Sequence, residues 1–181
     1  MKFTLREMIL VGIFAALTSV CAQISIPFTP VPLTFSLFAV FMSAVLLGPK
    51  CGAFSQIIYV LIGLCGAPVF AGFHGGIGIL AGYTGGYILS YPVIALIVGL
   101  LLKNCKTLSR IDMIGAMVIG LIICYTMGAS WLGFTLKKSV SEAITLGVAP
   151  FLPLDLIKIV IVAIIGYHVR SVLIKTKLII V

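Results

Sequence analysis

The chain has 181 residues, 62% of them hydrophobic and only 9% charged, with a mean hydropathy of +1.33. A soluble domain carries roughly a quarter charged residues, so this composition excludes a water-soluble core and reads as an integral membrane protein of one compact domain, residues 1–181. The net charge of +8 does not imply nucleic acid as a partner, because the basic residues lie in short clusters between apolar runs, where topology signals lie.

A spanning helix needs roughly 20 apolar residues to cross a hydrocarbon core about 30 Å thick. Six runs answer to this: 8–26, 33–47, 53–65, 85–102, 112–134 and 150–173. The expected fold is an all-α bundle of six transmembrane helices. Lys2 and Arg6 ahead of an apolar run to Val20 resemble a signal peptide. No A-x-A site follows, so the run is read as a retained first span. It carries small residues at helical spacing, Gly12 with Ala16 and Ala15 with Ser19. Such a face allows close helix approach, either within this chain or to a partner in the membrane.

Pro27 and Pro30 close the first run, Gly48 and Pro49 the second, and Gly66 and Pro68 follow the third. The second and third runs are short for a full crossing, which is tolerated only where protein or a cavity covers the backbone ends. The stretch 66–86, GAPVFAGFHGGIGILAGYTGG, is too long for a turn and too apolar for a solvated loop. It is expected to dip back toward the bundle, where glycines let backbone N–H groups approach a ligand. Residues 135–149 carry Lys137, Lys138 and Glu142 and read either as a lid or as a solvated connection.

With six spans both termini share one side. If that side is the cytoplasm, Lys2, Arg6, Lys50, Lys103, Lys106, Arg110, Arg170, Lys175 and Lys177 lie inside, and only Lys137 and Lys138 outside. Nine against two is a clear positive-inside bias, so N-in and C-in is expected. The five cysteines are odd in number and have no CxxC spacing. They read as small apolar residues rather than as a disulfide framework or zinc site.

The sixth run breaks the apolar rule with Asp155 and Lys158, three positions apart and so on one helix face. Pro150 and Pro153 suit the first helical turn, which places the pair one to two turns below the outer surface. Ionisable residues at that depth cost at least about 2.5–3.5 kcal/mol and normally face a bundle interior or cavity. Two readings follow: an ion pair that staples the bundle, or a ligand site. In the second, Lys158 supplies a cation for a carboxylate and Asp155 accepts hydrogen bonds from N–H donors. No catalytic triad, paired carboxylates or GxxxxGK[ST] loop occurs in the chain. His74 reads as a loop residue rather than a metal ligand, and His168 as an inner-end residue. No catalytic residue, metal or cofactor is expected.

VPLTF at 31–35, LLGPKCGAFSQIIYVLIGLCGAPVFAGF at 46–73, GYTGGY at 82–87 and PLDLIK at 153–158 together resemble the BioY family. This is the biotin-specific substrate-binding (S) component of energy-coupling factor (ECF) vitamin transporters. The resemblance runs in order over essentially the whole chain. It implies a six-helix bundle in the bacterial plasma membrane with cytoplasmic termini and a biotin pocket near the outer face. It implies Asp155 and Lys158 as polar anchors for biotin, with Thr84, Gly85, Tyr87 and Thr34 lining the same pocket. It also implies docking of the Gly12 and Ala16 face onto a transmembrane T component that works with two ATP-binding subunits. Two departures stand out. Tyr83 replaces the proline usual in that glycine motif, and Phe35-Ser36 replaces the Leu-Gln that usually follows VPLT. The second removes a long polar side chain from the pocket and makes a relative such as dethiobiotin more plausible as ligand. The competing functions are a membrane enzyme or enzyme-anchoring subunit, which lacks a catalytic constellation here, and a proton-driven secondary transporter working through Asp155, for which no internal repeat is visible.

Overall fold

The computed structural model describes residues 3–103 and 109–175. The elements run α1 (Leu5–Gln23), β1 (Ser25–Ile26), β2 (Leu33–Thr34), α2 (Ser36–Leu64), α3 (Ile77–Ala81), α4 (Gly85–Lys103), α5 (Arg110–Leu136), α6 (Val140–Gly147) and α7 (Leu152–Lys175), with one 3-10 turn at Ala71–Phe73. Among the described residues, five helices, α1, α2, α4, α5 and α7, are long and apolar enough to cross a membrane.

Local chemistry accounts for three of the helix starts. Thr4 caps α1, accepting from the Glu7 N–H while the Glu7 carboxylate accepts from the Thr4 N–H. Ser109 with Asp112 and Ser139 with Glu142 build the same reciprocal box at α5 and α6. These boxes satisfy N–H groups that the first turn leaves without helical partners. At α6 the bonds from the Ser139 N–H and hydroxyl also hold the Glu142 carboxyl below the usual carboxylate range.

α2 corrects the expected second and third spans. Both lie in this one element, which breaks at Gly48, with φ +73° and ψ −174°, a conformation essentially reserved for glycine. Pro49 follows and has no N–H to carry the first helix onward. The two arms fold back on each other about this break. In an unbroken helix Ser43 and Gly52 would be roughly 13 Å apart along the axis. Here a Cβ added to Gly52 would stand 3.0 Å from the Ser43 carbonyl oxygen, and the Gln56 amide donates to Ser43 Oγ at 3.2 Å. α4 packs across the hairpin more extensively than any other pair of elements. Gly99 makes that possible, since an added Cβ would lie 2.5 Å from both Pro49 Cα and its nitrogen.

A second correction concerns the start of the second run. Leu33–Thr34 is not helical but pairs antiparallel with Ser25–Ile26, and α1 ends at Gln23 rather than at Ile26. The Phe35 N–H donates to the Ile24 carbonyl, which closes this small ribbon over one end of the bundle.

The core runs along α2 and α4, with Val40, Phe41, Ala44, Val45, Ile94, Ala95 and Val98 almost wholly buried. α1 covers it with Phe14, Ala15, Thr18 and Ala22, and leaves Met8, Ile9, Ile13 and Val20 facing outward. Gly12 and Ala16 lie on that outward face, so packing within this chain does not account for them. Between α1 and the hairpin sits a buried polar node. Gln56 donates to Thr18 Oγ1, Ser43 Oγ and Ser55 Oγ at 3.1–3.2 Å. Each of those hydroxyls in turn donates to a carbonyl of its own helix.

The ends of the bundle differ. At one, Lys50 stacks over the Phe3 ring at 4.3 Å and Arg110 over the Tyr167 ring at 5.3 Å. Arg170, one of the charges expected on the inner side, is turned into the bundle. It is buried in α7 and its Nη1 donates to the Val45 carbonyl at 2.9 Å. Lys2, Lys106 and Lys177 lie outside the described residues, as does Cys105. Cys21, Cys51 and Cys124 are buried free thiols and Cys65 is exposed.

At the other end the glycine-rich stretch folds against the bundle. Phe70 is buried, and its ring fills the space that a side chain at Gly63 would need. Gln23 fastens the stretch to α1, donating to the Phe70 carbonyl at 3.1 Å and accepting from the Phe73 N–H at 2.9 Å. The 135–149 connection contains α6, which packs on α5.

Two outcomes follow. Gly99→Ala drives a Cβ into the Pro49 backbone, and overpacking of this kind costs about 1–3 kcal/mol, so the detergent-solubilised protein should melt at lower temperature than the native chain. Gln23→Ala should accelerate hydrogen exchange at Phe73 and across 66–76 while leaving α4 and the hairpin protected, read by exchange mass spectrometry.

Candidate functional site

The cavity at the ribbon end has a volume of about 650 Å³, within the range of small-molecule sites. Its rim is formed by exposed residues of two segments, Pro27, Phe28 and Thr29 from the ribbon and Gly72, His74 and Tyr83 from the glycine-rich stretch. Its floor is buried and largely aromatic: Tyr59 from the hairpin's second arm, Phe70, Tyr87 and Tyr91 from α4, and Phe151 before α7. Tyr59 stacks on Tyr91 with ring centres 6.2 Å apart, and Tyr87 on Phe151 at 6.4 Å.

Asp155 and Lys158 lie in this floor, 5% and 7% exposed. Leu152 and Pro153 open α7 one turn earlier, so the carboxylate sits close to the helix N-terminus, where the macrodipole favours it. Lys158 Nζ donates to Asp155 Oδ1 at 2.7 Å and to the Thr34 carbonyl at 2.6 Å. The other carboxylate oxygen, Oδ2, accepts from the Tyr125 hydroxyl at 2.7 Å. The Phe35 ring centre stands 5.9 Å from Nζ. The buried pair is therefore held from α5, β2 and α7 together.

The remaining expected residues are placed differently from one another. Thr34 serves through its carbonyl, while its hydroxyl lies 2.5 Å from Ser36 Oγ. Tyr87 lines the floor and its hydroxyl donates to the Gly147 carbonyl at 2.8 Å, tying α4 to the end of α6. Thr84 lines the cavity, with its hydroxyl turned to the Ile79 carbonyl at 3.4 Å. Gly85 is buried beneath the wall rather than in it. An added Cβ would collide with the Leu80 carbonyl and meet Trp131 Nε1 at 3.1 Å. It lets α4 start directly under α3, and Trp131 braces the same corner by donating to the Gly82 carbonyl at 2.9 Å. Gly12 and Ala16 are on α1's outward face, away from the cavity.

Sequence reasoning missed Tyr125, Tyr91, Tyr59, Cys124 and Phe151, all of which line the cavity. A tyrosine in an apolar helix needs a partner for its hydroxyl, and that was the available signal for Tyr91 and Tyr125. What hid them was the all-round apolarity of α4 and α5, which leaves no polar face to mark the inward side.

As to chemistry, the site offers a carboxylate and an ammonium that neutralise each other, several hydroxyls and an aromatic wall. It can hold a small ligand with a polar head and an apolar body.

Comparison with known proteins bears on this geometry. The BioY family model matches residues 1–175. A protein of Pyrococcus horikoshii named "Probable biotin transporter BioY" is 41% identical over 170 residues, covering 92% of this chain and 97% of that one. The "Biotin transporter BioY" of Thermotoga maritima is 41% identical over 167 residues, with the same coverage of 92% and 97%. Among solved structures, the crystal structure of the S-component for biotin from an ECF-type ABC transporter superimposes with a TM-score of 0.85. It is 25% identical and covers 94% of this chain and 95% of that chain. With a family match over nearly its full length and relatives at this level of identity, the chain belongs to the BioY family.

Proposed function

We propose that this chain is a transport protein rather than an enzyme, the biotin-binding S component of an ECF-type vitamin uptake system. It captures biotin at the outer face of the bacterial plasma membrane and delivers it inward with a transmembrane T component and two ATP-binding subunits. The observation that carries this reading is the buried Asp155–Lys158 pair in the floor of an aromatic cavity of about 650 Å³. The named relatives and the S-component structure supply the ligand and the kind of system.

The charge balance of the pair sets how biotin lies. Lys158 is already matched by Asp155, with both buried. A ligand carboxylate in the floor would add an uncompensated negative charge there, which is costly away from water. The ureido head carries no charge. Its N–H groups can donate to the remaining lone pairs of Asp155. Its carbonyl can accept from Lys158, which has three N–H donors and commits two of them to Asp155 and Thr34. The thioether ring and aliphatic tail then run along Tyr87, Phe151 and Phe70, and the carboxylate points to the exposed rim.

The hairpin arms of α2 count as two crossings in this reading, giving six membrane segments with N- and C-termini in the cytoplasm. Lys50, Lys103 and Arg110 then lie on the inner side, as the positive-inside bias requires. Gly12 and Ala16, presented outward on α1, are the proposed docking face for the T component.

Lys158→Ala should weaken biotin binding on the order of a hundredfold or more, because truncation leaves a buried charge without its partner. The neutral double variant Asp155→Asn/Lys158→Met should stay folded in detergent and still fail to retain biotin. Native-like affinity in either, measured by titration calorimetry, overturns the site. For topology, a variant that keeps only Cys65, an exposed thiol at the ribbon end, should react with a membrane-impermeant maleimide on intact cells. Labelling only after permeabilisation would invert the orientation.

A further inference from the structure

The last turn of α5 and the short helix α6 leave apolar side chains uncovered. Phe134 is 83% exposed and Val140 78%, and Ile144 is exposed one turn after Val140. The side of α6 that meets the protein is already filled by Ala143 and Gly147, also one turn apart and both buried. A Cβ added to Gly133 would stand 3.2 Å from Ala143 Cβ, and one added to Gly147 would collide with the Tyr87 hydroxyl. That hydroxyl donates to the Gly147 carbonyl, which fixes the rotation of α6 about its own axis.

α6 therefore has three sides rather than two. Ala143 and Gly147 face α5, Val140 and Ile144 form the neighbouring flank, and Ser141, Glu142 and Thr145 are exposed beyond them. Such a partition suits a helix that touches protein, lipid and water at once. Depth agrees with it. α5 has 27 residues, which make about 40 Å of helix against a hydrocarbon core of about 30 Å. Arg110 opens α5 at the inner side, so the last turn of α5 reaches the opposite boundary. Phe134 stands in that turn, and Trp131, a residue favoured at membrane boundaries, precedes it by one turn. The exposed side of α5 runs up to Phe134 through Ile119, Ile122, Thr126 and Ser130, so Phe134 continues the surface that the span presents to lipid. Lys137 and Lys138 follow directly, both exposed. Lys138 pairs with Glu142 at 3.3 Å on the polar side, and Lys137 lies at the level of the lipid phosphates.

We propose that Phe134, Val140 and Ile144 form a lipid-docking face, which seats α6 at the headgroup boundary of the outer leaflet with Lys137 toward the phosphates. The choice of leaflet rests on the proposed topology, which the Cys65 labelling checks separately. The occupant is phospholipid, because the face continues the lipid-facing side of a membrane span at the depth where that span ends.

The test reads depth by spin-label relaxation on the full chain in phosphatidylcholine vesicles. Single nitroxides are placed through Val140→Cys, Ser141→Cys, Ile144→Cys and Thr145→Cys, with Cys65 and Cys105 replaced by serine. Oxygen, which concentrates in hydrocarbon, should relax the labels at 140 and 144 more than a water-soluble nickel chelate does. The preference should reverse at 141 and 145. Phe134→Cys, on α5, should follow 140 and 144, and it carries the test if a label on α6 unseats that helix. Nickel accessibility at 134, 140 and 144 as high as at 141 and 145 overturns the docking face and shows a surface open to water and to a water-borne partner. Depth is read without biotin, so that failure leaves the biotin reading standing. Failure of the native chain to bind biotin would leave the depth pattern as the only measure of the docking face.

Discussion

A carboxylate and an ammonium inside an apolar bundle lose their hydration, and their mutual attraction recovers that loss only if the other lone pairs and protons are also satisfied. This requirement organises the ribbon end of the molecule. Asp155 spends one oxygen on Lys158 and the other on Tyr125, and Lys158 spends a second donor on the Thr34 carbonyl. The last contact explains why Leu33–Thr34 is a strand. In a helix the Thr34 carbonyl would be taken by the N–H four residues on. Here the Phe38 N–H bonds Phe35 instead, which leaves Thr34 for Lys158. The ribbon is thus the segment that makes a buried lysine tolerable.

The second constraint is depth. A cavity needs its floor part-way down the bundle, and the broken helix α2 supplies short arms around which the long helices stand. Both arms reach Tyr91, the first through Ser36 and the second through Tyr59. The break depends on Gly48, and the fit of α4 across it on Gly99. Helix association in a membrane draws on close van der Waals contact rather than on exclusion of water, so small residues at these crossings set how near the helices come. Gly128 does the same for Tyr87, whose ring lies where a side chain would stand.

Hydrogen bonds reinforce that packing in the interior. The three hydroxyls around Gln56 each donate back to their own helix, so their oxygens face the amide as acceptors. A single side chain on the second arm thereby joins α1 and both arms of α2. Arg170 joins α7 to the first arm through the Val45 carbonyl in a similar way. These contacts hold the far half of the bundle together while the ribbon end stays open to a ligand.

The membrane class, the approximate helical runs, the break at Gly48-Pro49, the family and the placement of Asp155 and Lys158 on one helix face are legible in the amino-acid sequence. These are local or compositional properties: apolar run length, the backbone limits of glycine and proline, and the helical spacing of two charges. The tertiary structure alone decided that the two short runs fold back as arms of one hairpin, that Leu33–Thr34 leaves the helix, and that Arg170 turns inward. It alone placed Tyr125 on Asp155, linked Ser36 to Tyr91, set Gly85 beneath the wall and turned Gly12 and Ala16 outward. The reason is physical. In lipid a helix can be apolar on every side, so periodicity does not mark which face is inward. The partners of a polar atom then come from whichever distant segment the packed bundle brings within about 3 Å.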